Sequence, residues 1–233
     1  MGQTIDRSFF PIHTLITALV LLIGMNACKS SNTTRKQTDS TESKKELEEL
    51  YWQRVEDSRS SYTEADVKFM TGMIAHHAQA LVMSRLAPHN GASPQVRTLT
   101  SRIINAQRDE IKTMQQWLRD RGETVPKISI DSLQLTITLD EKKYTKYRQM
   151  KGVLTQQQIV ELAKAKNTEF DRLFLTYMIE HHAGAVSMVD KLFNTDGAAQ
   201  DGSAFRLASD IQVDQRTEID RMFEMLEALP ETD

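Results

Sequence analysis

The residues best able to do chemistry in this chain are two adjacent histidine pairs, His76-His77 and His181-His182. Each pair sits inside the same longer phrase. Residues 66–83 read DVKFMTGMIAHHAQALVM and residues 171–188 read DRLFLTYMIEHHAGAVSM; at an offset of 105, ten of eighteen positions are identical. The shared residues include Asp66/Asp171, Phe69/Phe174, Met73/Met178, His76/His181, His77/His182, Ala80/Ala185 and Met83/Met188. Imidazole nitrogen beside thioether sulfur is a donor set for soft metals, above all Cu(I). A single histidine on an apolar stripe is ordinarily a hydrogen-bonded core residue, and a methionine at helical spacing is ordinarily packing. Two copies of the pair, with the methionines reproduced, shift the reading toward a metal site.

Helical geometry decides whether these donors can meet. On a wheel of about 100° per residue, His76, His77, Ala80 and Met83 all fall within about 80° of Met73, beside Phe69. The imidazoles therefore flank the stripe that faces the core, with thioethers one turn away. The second copy supplies the same set, so His76, His77, His181 and His182 can share one central layer. A weaker match follows each copy: residues 103–118 (IINAQRDEIKTMQQWL) align with residues 211–226 (IQVDQRTEIDRMFEML). It places Glu110 and Glu218 on the apolar face of their helices. A buried carboxylate needs a partner, and the candidates are Arg108/Arg216 or an imidazole N–H. A carboxylate that orients a metal-bound histidine is a common arrangement.

Other chemistries fit less well. A di-iron site needs inward carboxylates with Glu-x-x-His spacing, and no Glu-x-x-His occurs. Zinc with histidine ligands stays open but gives the methionines no role. No Ser or Cys nucleophile with a base partner is visible, so a binding protein is expected rather than an enzyme, with copper redox turnover as an alternative. A structural or interaction module, in which the histidines make polar contacts between helices, is the competing class.

The elements that must position these residues are helices. Thr63-Glu-Ala-Asp66 and Thr168-x-x-Asp171 have capping-box form, Ser93-Pro94 is an N-cap followed by Pro, and Gly122 suits a helix C-terminus. The spacing predicts long helices from Thr63 to about Leu86, Ser93 to about Arg121, Thr168 to about Phe193, and Ser203 to Pro230. An extended stretch at Ile128–Leu139 and a short helix at Thr155–Ala165 fall in the link between the repeats. The expected fold is all-α: a ferritin-like four-helix bundle of two repeated hairpins (63–121 and 168–229) joined by a long crossover (122–167).

Composition narrows the rest. The chain has 233 residues, one cysteine, nine glycines and five prolines, which excludes collagen, a disulfide scaffold and a thiolate zinc cage. A net charge of −3 leaves no basic surface for nucleic acid. Arg7 precedes an apolar run from Leu15 to Ile23, too short for a bilayer span but the size of a secretory core. Cys28 follows directly, as in a bacterial lipoprotein signal (1–28), with lipid attachment at Cys28. Residues 29–45, KSSNTTRKQTDSTESKK, read as a flexible tether, and 46–233 as the folded part. The expected location is the cell envelope, as a periplasmic or outer-membrane lipoprotein. Expected partners are a metal ion and a membrane, with a homo-oligomer left open.

The doubled phrases, Phe69 to Met83 and Phe170 to Met188, together with Met150-Lys-Gly-Val-Leu-Thr155, resemble the DUF305 family. The resemblance covers about residues 60–229. It implies a ferritin-like helical bundle in an exported bacterial protein, with links to copper binding or tolerance. It puts the family's motif on Met73, His76, His77 and Met83, and on Met178, His181, His182 and Met188. Gly72 and Ala75 of the first copy become Tyr177 and Glu180 in the second, so the half-sites need not be equivalent.

Overall fold

The computed structural model describes residues 33–231. The signal segment and Cys28, with the lipid attachment read from them, lie outside the described residues. The chain divides into two units after Leu47, and the first is described only as the opening stretch of helix α1 (Thr33–Ser60). The helix takes in residues expected in the tether, because the tract KKELEELYWQR that follows is rich in strong helix formers. Trp52, on this helix, is 58% exposed. Among the described residues no helix is long and apolar enough to cross a membrane.

The second unit carries α2 (Glu64–Ser84), α3 (Pro94–Asp120), a three-stranded sheet β1 (Lys127–Asp131), β2 (Gln134–Leu139) and β3 (Lys142–Lys143), then α4 (Gln156–Lys164), α5 (Asn167–Phe193) and α6 (Gly202–Glu227). The fold is mostly helical but not all-α as expected. The link between the repeats folds into an antiparallel sheet because Ile128, Ile130, Leu135 and Ile137 alternate with polar residues, the period of a half-buried strand. Ile128 pairs with Ile137 and Ile130 with Leu135. Asp140 and Glu141, both at positive φ, turn the chain from β2 into β3, the conformation that suits a two-residue hairpin loop.

Helix α2 packs on α3, α5 on α6, α2 on α5 and α3 on α6. The amphipathic α3 buries Val96, Leu99, Ile103, Ile111, Met114 and Leu118 at helical spacing, each full burial being worth about 1.5–3 kcal/mol. α2 behaves differently: every residue from Phe69 to Ser84 is buried. The wheel predicted one buried stripe. The other faces of α2 are covered because β1, β2 and the turn Lys146–Gln149 pack against it too.

Two identical aspartates tie the repeats together. Asp66 accepts from Thr63 N at 2.8 Å, as the capping box predicts, and from Ala199 N at 2.7 Å, in the loop before α6. Asp171 was expected to cap its own helix. Instead α5 starts at Asn167 after an N-cap at Lys166, and Asp171 accepts from Ser93 N, the N-cap of α3, at 3.1 Å and 3.2 Å. Each aspartate thus holds the loop that opens the other repeat's second helix. α6 starts at Gly202, one residue before the expected start at Ser203, and is capped by Asp201, which accepts from Ser203 N and Ala204 N. Asp201 also takes Trp117 Nε1–H at 3.2 Å and pairs with buried Arg121. Burial alone would raise the Asp201 carboxyl; the bonds from Ser203, Ala204, Arg121 and Trp117 together hold it below its usual range.

Removing either crossed tie orphans a backbone N–H at a helix start. Asp171→Ala is expected to cost about 1–3 kcal/mol, and Asp66→Ala more, because Asp66 serves two segments. Urea denaturation at pH 7 measures both; a loss within about 0.5 kcal/mol, the range of ordinary surface changes, counts against the tie.

Candidate metal centre

The four motif histidines come together where α2 and α5 cross, and none has measurable exposure. His76 and His181 lie ring to ring with centroids 3.9 Å apart. His77 and His182 flank them, 6.5 Å from His76 and 6.3 Å from His181 respectively. The methionines divide between two core clusters, one from each repeat in each. Met73 and Met188 border one, and Met83 and Met178 belong to the other. Met73, Met83 and Met178 are fully buried, while Met188 is half-buried.

Three of the four rings meet a polar group from outside. His77 Nε2 stands 2.7 Å from Glu110 Oε2 on α3, obliquely for a hydrogen bond, and His182 Nε2–H donates to Glu218 Oε2 on α6 at 2.6 Å. The repeat thus brings each glutamate to the outer histidine of its own half. Arg216 faces Asp190 instead, at 3.8 Å. His76 Nε2–H donates to the Lys151 carbonyl at 3.2 Å. A proton held on Nε2 leaves the Nδ1 lone pair free. The buried Nδ1 atoms of His76, His77 and His182, and both ring nitrogens of His181, have no hydrogen-bond partner. Buried acceptors left in that state cost about 1–3 kcal/mol each, and they are the atoms a metal would use. Among the described residues no three His, Cys, Asp or Glu side chains are arranged to hold a metal by themselves.

Burial, reinforced by the charge of His77, pushes the His76 imidazole down to about 3, against the pull of the Lys151 carbonyl. Burial and then His76 push His181 well below its ordinary value. Both rings are neutral at physiological pH, the state in which imidazole ligates.

The crossover supplies parts the motif did not reveal. Its segment Met150–Leu154 runs between α2 and α5. On the α5 side a Cβ at position 184 would stand 1.9 Å from the Lys151 carbonyl oxygen, so only Gly184 admits that oxygen to His76. Gly152 lies as close, at φ +78, with its would-be Cβ 2.3 Å from the Glu180 carbonyl. On the α2 side Gln79 grips Leu154, donating to its carbonyl at 2.8 Å and accepting from its N–H at 2.7 Å. The Met-Lys-Gly-Val-Leu phrase and the Gln79/Gly184 mismatch were the signals available in the sequence. Between α3 and α6 a cavity of about 260 Å³ is lined by Gln107, Glu110, Asp214, Gln215 and Glu218 and reaches the glutamates that touch the outer histidines. His89 is exposed and remote from this cluster in role, its carbonyl accepting from Lys166. Glu180 is exposed as well.

The buried histidine layer where α2 and α5 cross is what the helical wheel and the repeat implied, and the doubled phrase that builds it is the one that carries the family resemblance. Residues 66–226 match the family model "Domain of unknown function (DUF305)", and the chain belongs to that family. Among solved structures it is similar to a DUF305 fragment from Deinococcus radiodurans, at 27% identity and TM-score 0.59, covering 72% of this chain and 99% of that one. A DUF305 protein from Streptomyces coelicolor matches at 26% identity and TM-score 0.57, covering 70% and 91%. CopM in its Cu(I)-bound form matches at 27% identity and TM-score 0.51, covering 70% and 95%, and is also matched in its Cu(II)-bound form. No curated protein matches the chain.

The neutral rings make the metal-free protein acid-sensitive. In the unfolded chain a histidine binds its proton near pH 6.5, whereas folded His76 resists protonation down to about 3. Between those values the unfolded state holds more protons, so stability is complete above about pH 6.5 and is lost as pH falls toward 3. The expected loss is on the order of a few kcal/mol, read from urea midpoints at pH 7.5 and 4.5, with a shallower dependence in His76→Gln. Equal midpoints at the two pH values would contradict the buried neutral layer.

Proposed function

We propose that this protein binds copper as cargo, through the His/Met layer at the α2–α5 crossing, for sequestration or tolerance at the cell envelope, and that it is not an enzyme. The observation that carries the reading is the set of buried, unpartnered imidazole nitrogens on the two helices that also carry Met73, Met83, Met178 and Met188. Outer glutamates hold the flanking rings, so Glu110 and Glu218 orient ligands rather than bind metal themselves. The resemblance to CopM with Cu(I) and Cu(II) bound supports the choice of copper. Zinc is the poorer cargo because it gives the methionines no role.

The same reading takes α2–α3 and α5–α6 as two repeated hairpins of a ferritin-like four-helix bundle, with β1 to α4 as the single crossover. It takes residues 1–28 as an export signal and Cys28 as the point of lipid attachment to a membrane. An envelope location puts the soft-metal site outside the cytoplasm.

A ligand that binds only the folded state must stabilise it, by about 2.7 kcal/mol at one hundred times its Kd. Copper is therefore expected to raise the melting temperature of the purified chain, and Zn(II) to raise it less. The double variant His76→Ala, His181→Ala is expected to lose the copper effect. A helical interaction module, in which the histidines only pack, predicts that copper leaves the parent's melting temperature unchanged. That result, or copper bound equally well by the double variant, would overturn the proposal.

A further inference from the structure

We infer that Met150, on the crossover, joins Met188 and His76 as a donor set for a soft monovalent metal ion, so that the two halves of the centre are unequal. The inference rests on the copper reading and deepens it.

Gly72 carries the argument. A Cβ at that position would stand 2.8 Å from the Met150 Cε and 3.3 Å from the Met188 Cε, with the Met150 Sδ at 3.7 Å. Two thioether ends, one from the crossover and one from α5, therefore converge on a spot of α2 kept open by the missing side chain. In the second repeat the equivalent position is Tyr177, whose hydroxyl donates to Glu161 at 2.7 Å. The opening exists in one half only.

His76 belongs to the same place. It lies one turn from Gly72 on α2, and Gly184 lies one turn from Met188 on α5. A Cβ at position 184 would be 3.1 Å from His76 Nε2. The bond from that nitrogen goes to Lys151, the residue next to Met150. His76 keeps its Nδ1 free.

Exposure separates Met188 and Met150 from the other three methionines of the repeated motif: Met73, Met83 and Met178 are fully buried, while Met150 and Met188 are partly exposed. A methionine used only to fill a core gap gains most when buried. Two partly exposed methionines over a glycine gain less from packing. Two thioethers with one imidazole favour Cu(I) or Ag(I) over Cu(II) and Zn(II), because thioether sulfur is a soft ligand. The ion binds as the monovalent cation, and no electron transfer is involved.

The test titrates the full chain with Cu(I), without oxygen, against a chromophoric Cu(I) chelator, and measures sulfur scatterers around copper by X-ray absorption. Leucine nearly matches methionine in volume. Met150→Leu is expected to weaken Cu(I) binding at least about tenfold, to lower the Cu–S signal, and to leave Cu(II) binding unchanged; Met188→Leu is expected to weaken Cu(I) binding and lower the Cu–S signal as well. Parent Cu(I) affinity and parent Cu–S signal in Met150→Leu would overturn this inference while leaving the copper function intact. No Cu(I) bound by the parent would overturn both. Should a leucine variant not fold, as judged by circular dichroism, the parent's spectrum decides: two or more sulfur donors per ion support the inference, and none overturns it.

Discussion

The tightest constraint in the molecule is the passage of the crossover backbone across α5. With Gly184 beneath the Lys151 carbonyl and Gly152 against the Glu180 carbonyl, two segments of main chain meet with no side chain between them. A carbonyl brought this deep needs a donor, and His76 Nε2–H is the one that meets it. That single bond sets the His76 tautomer, turns its other nitrogen free, and places its ring against His181. Any side chain at position 184 would push Lys151 away and leave both groups unpaired. The histidine layer is thus held by main chain as much as by packing.

The layer is fully buried, and burial dictates its charge. Two buried imidazoles with centroids 3.9 Å apart cannot both be cationic, and the inner pair is neutral. The outer pair meets carboxylates on α3 and α6, at the inner wall of the cavity between those helices. Polarity is therefore graded from a neutral core outward to acid. Asp214 stands further out in the same cavity; burial, then the charges of Glu110, Glu218 and Asp210, raise its carboxyl above the usual range. Gln107 and Gln215, both buried, line the cavity with side-chain atoms that have no partner.

The parts of this arrangement that were legible in the sequence are those set by local periodicity. The repeat, the long helices, the inward histidines and the Glu110/Glu218 positions all follow from a 3.6-residue period carried over many residues. Local patterns misled where a distant segment supplied the partner. Asp171 has the same neighbours as Asp66 and reads as a cap, but its bonds go to Ser93, seventy-eight positions away. The wheel assigned α2 one buried face, whereas the sheet covers another, and a two-residue strand period in the link was the only hint. Met150 could not be placed at the centre from its own spacing, because it is not on a helix of the repeat and its approach depends on a glycine in another element.

The differences between the two copies have one physical origin. A single connecting segment laid over a pair of helices related by a repeat must meet two different surfaces, so the copies cannot remain identical where it touches them. Positions 72 and 177, and positions 79 and 184, are equivalent by the offset of 105 yet hold different residues. Gly72 receives Met150, and Tyr177 reaches Glu161 on α4. Gln79 clamps Leu154, and Gly184 admits Lys151. All four contacts are made by one stretch, residues 150–161. The aspartates and the glutamates, which that stretch does not reach, stay the same in both halves, and so do the histidines, although Lys151 bonds only His76. The duplicated residues build the layer, and the unduplicated ones fit it to the segment that links the repeats.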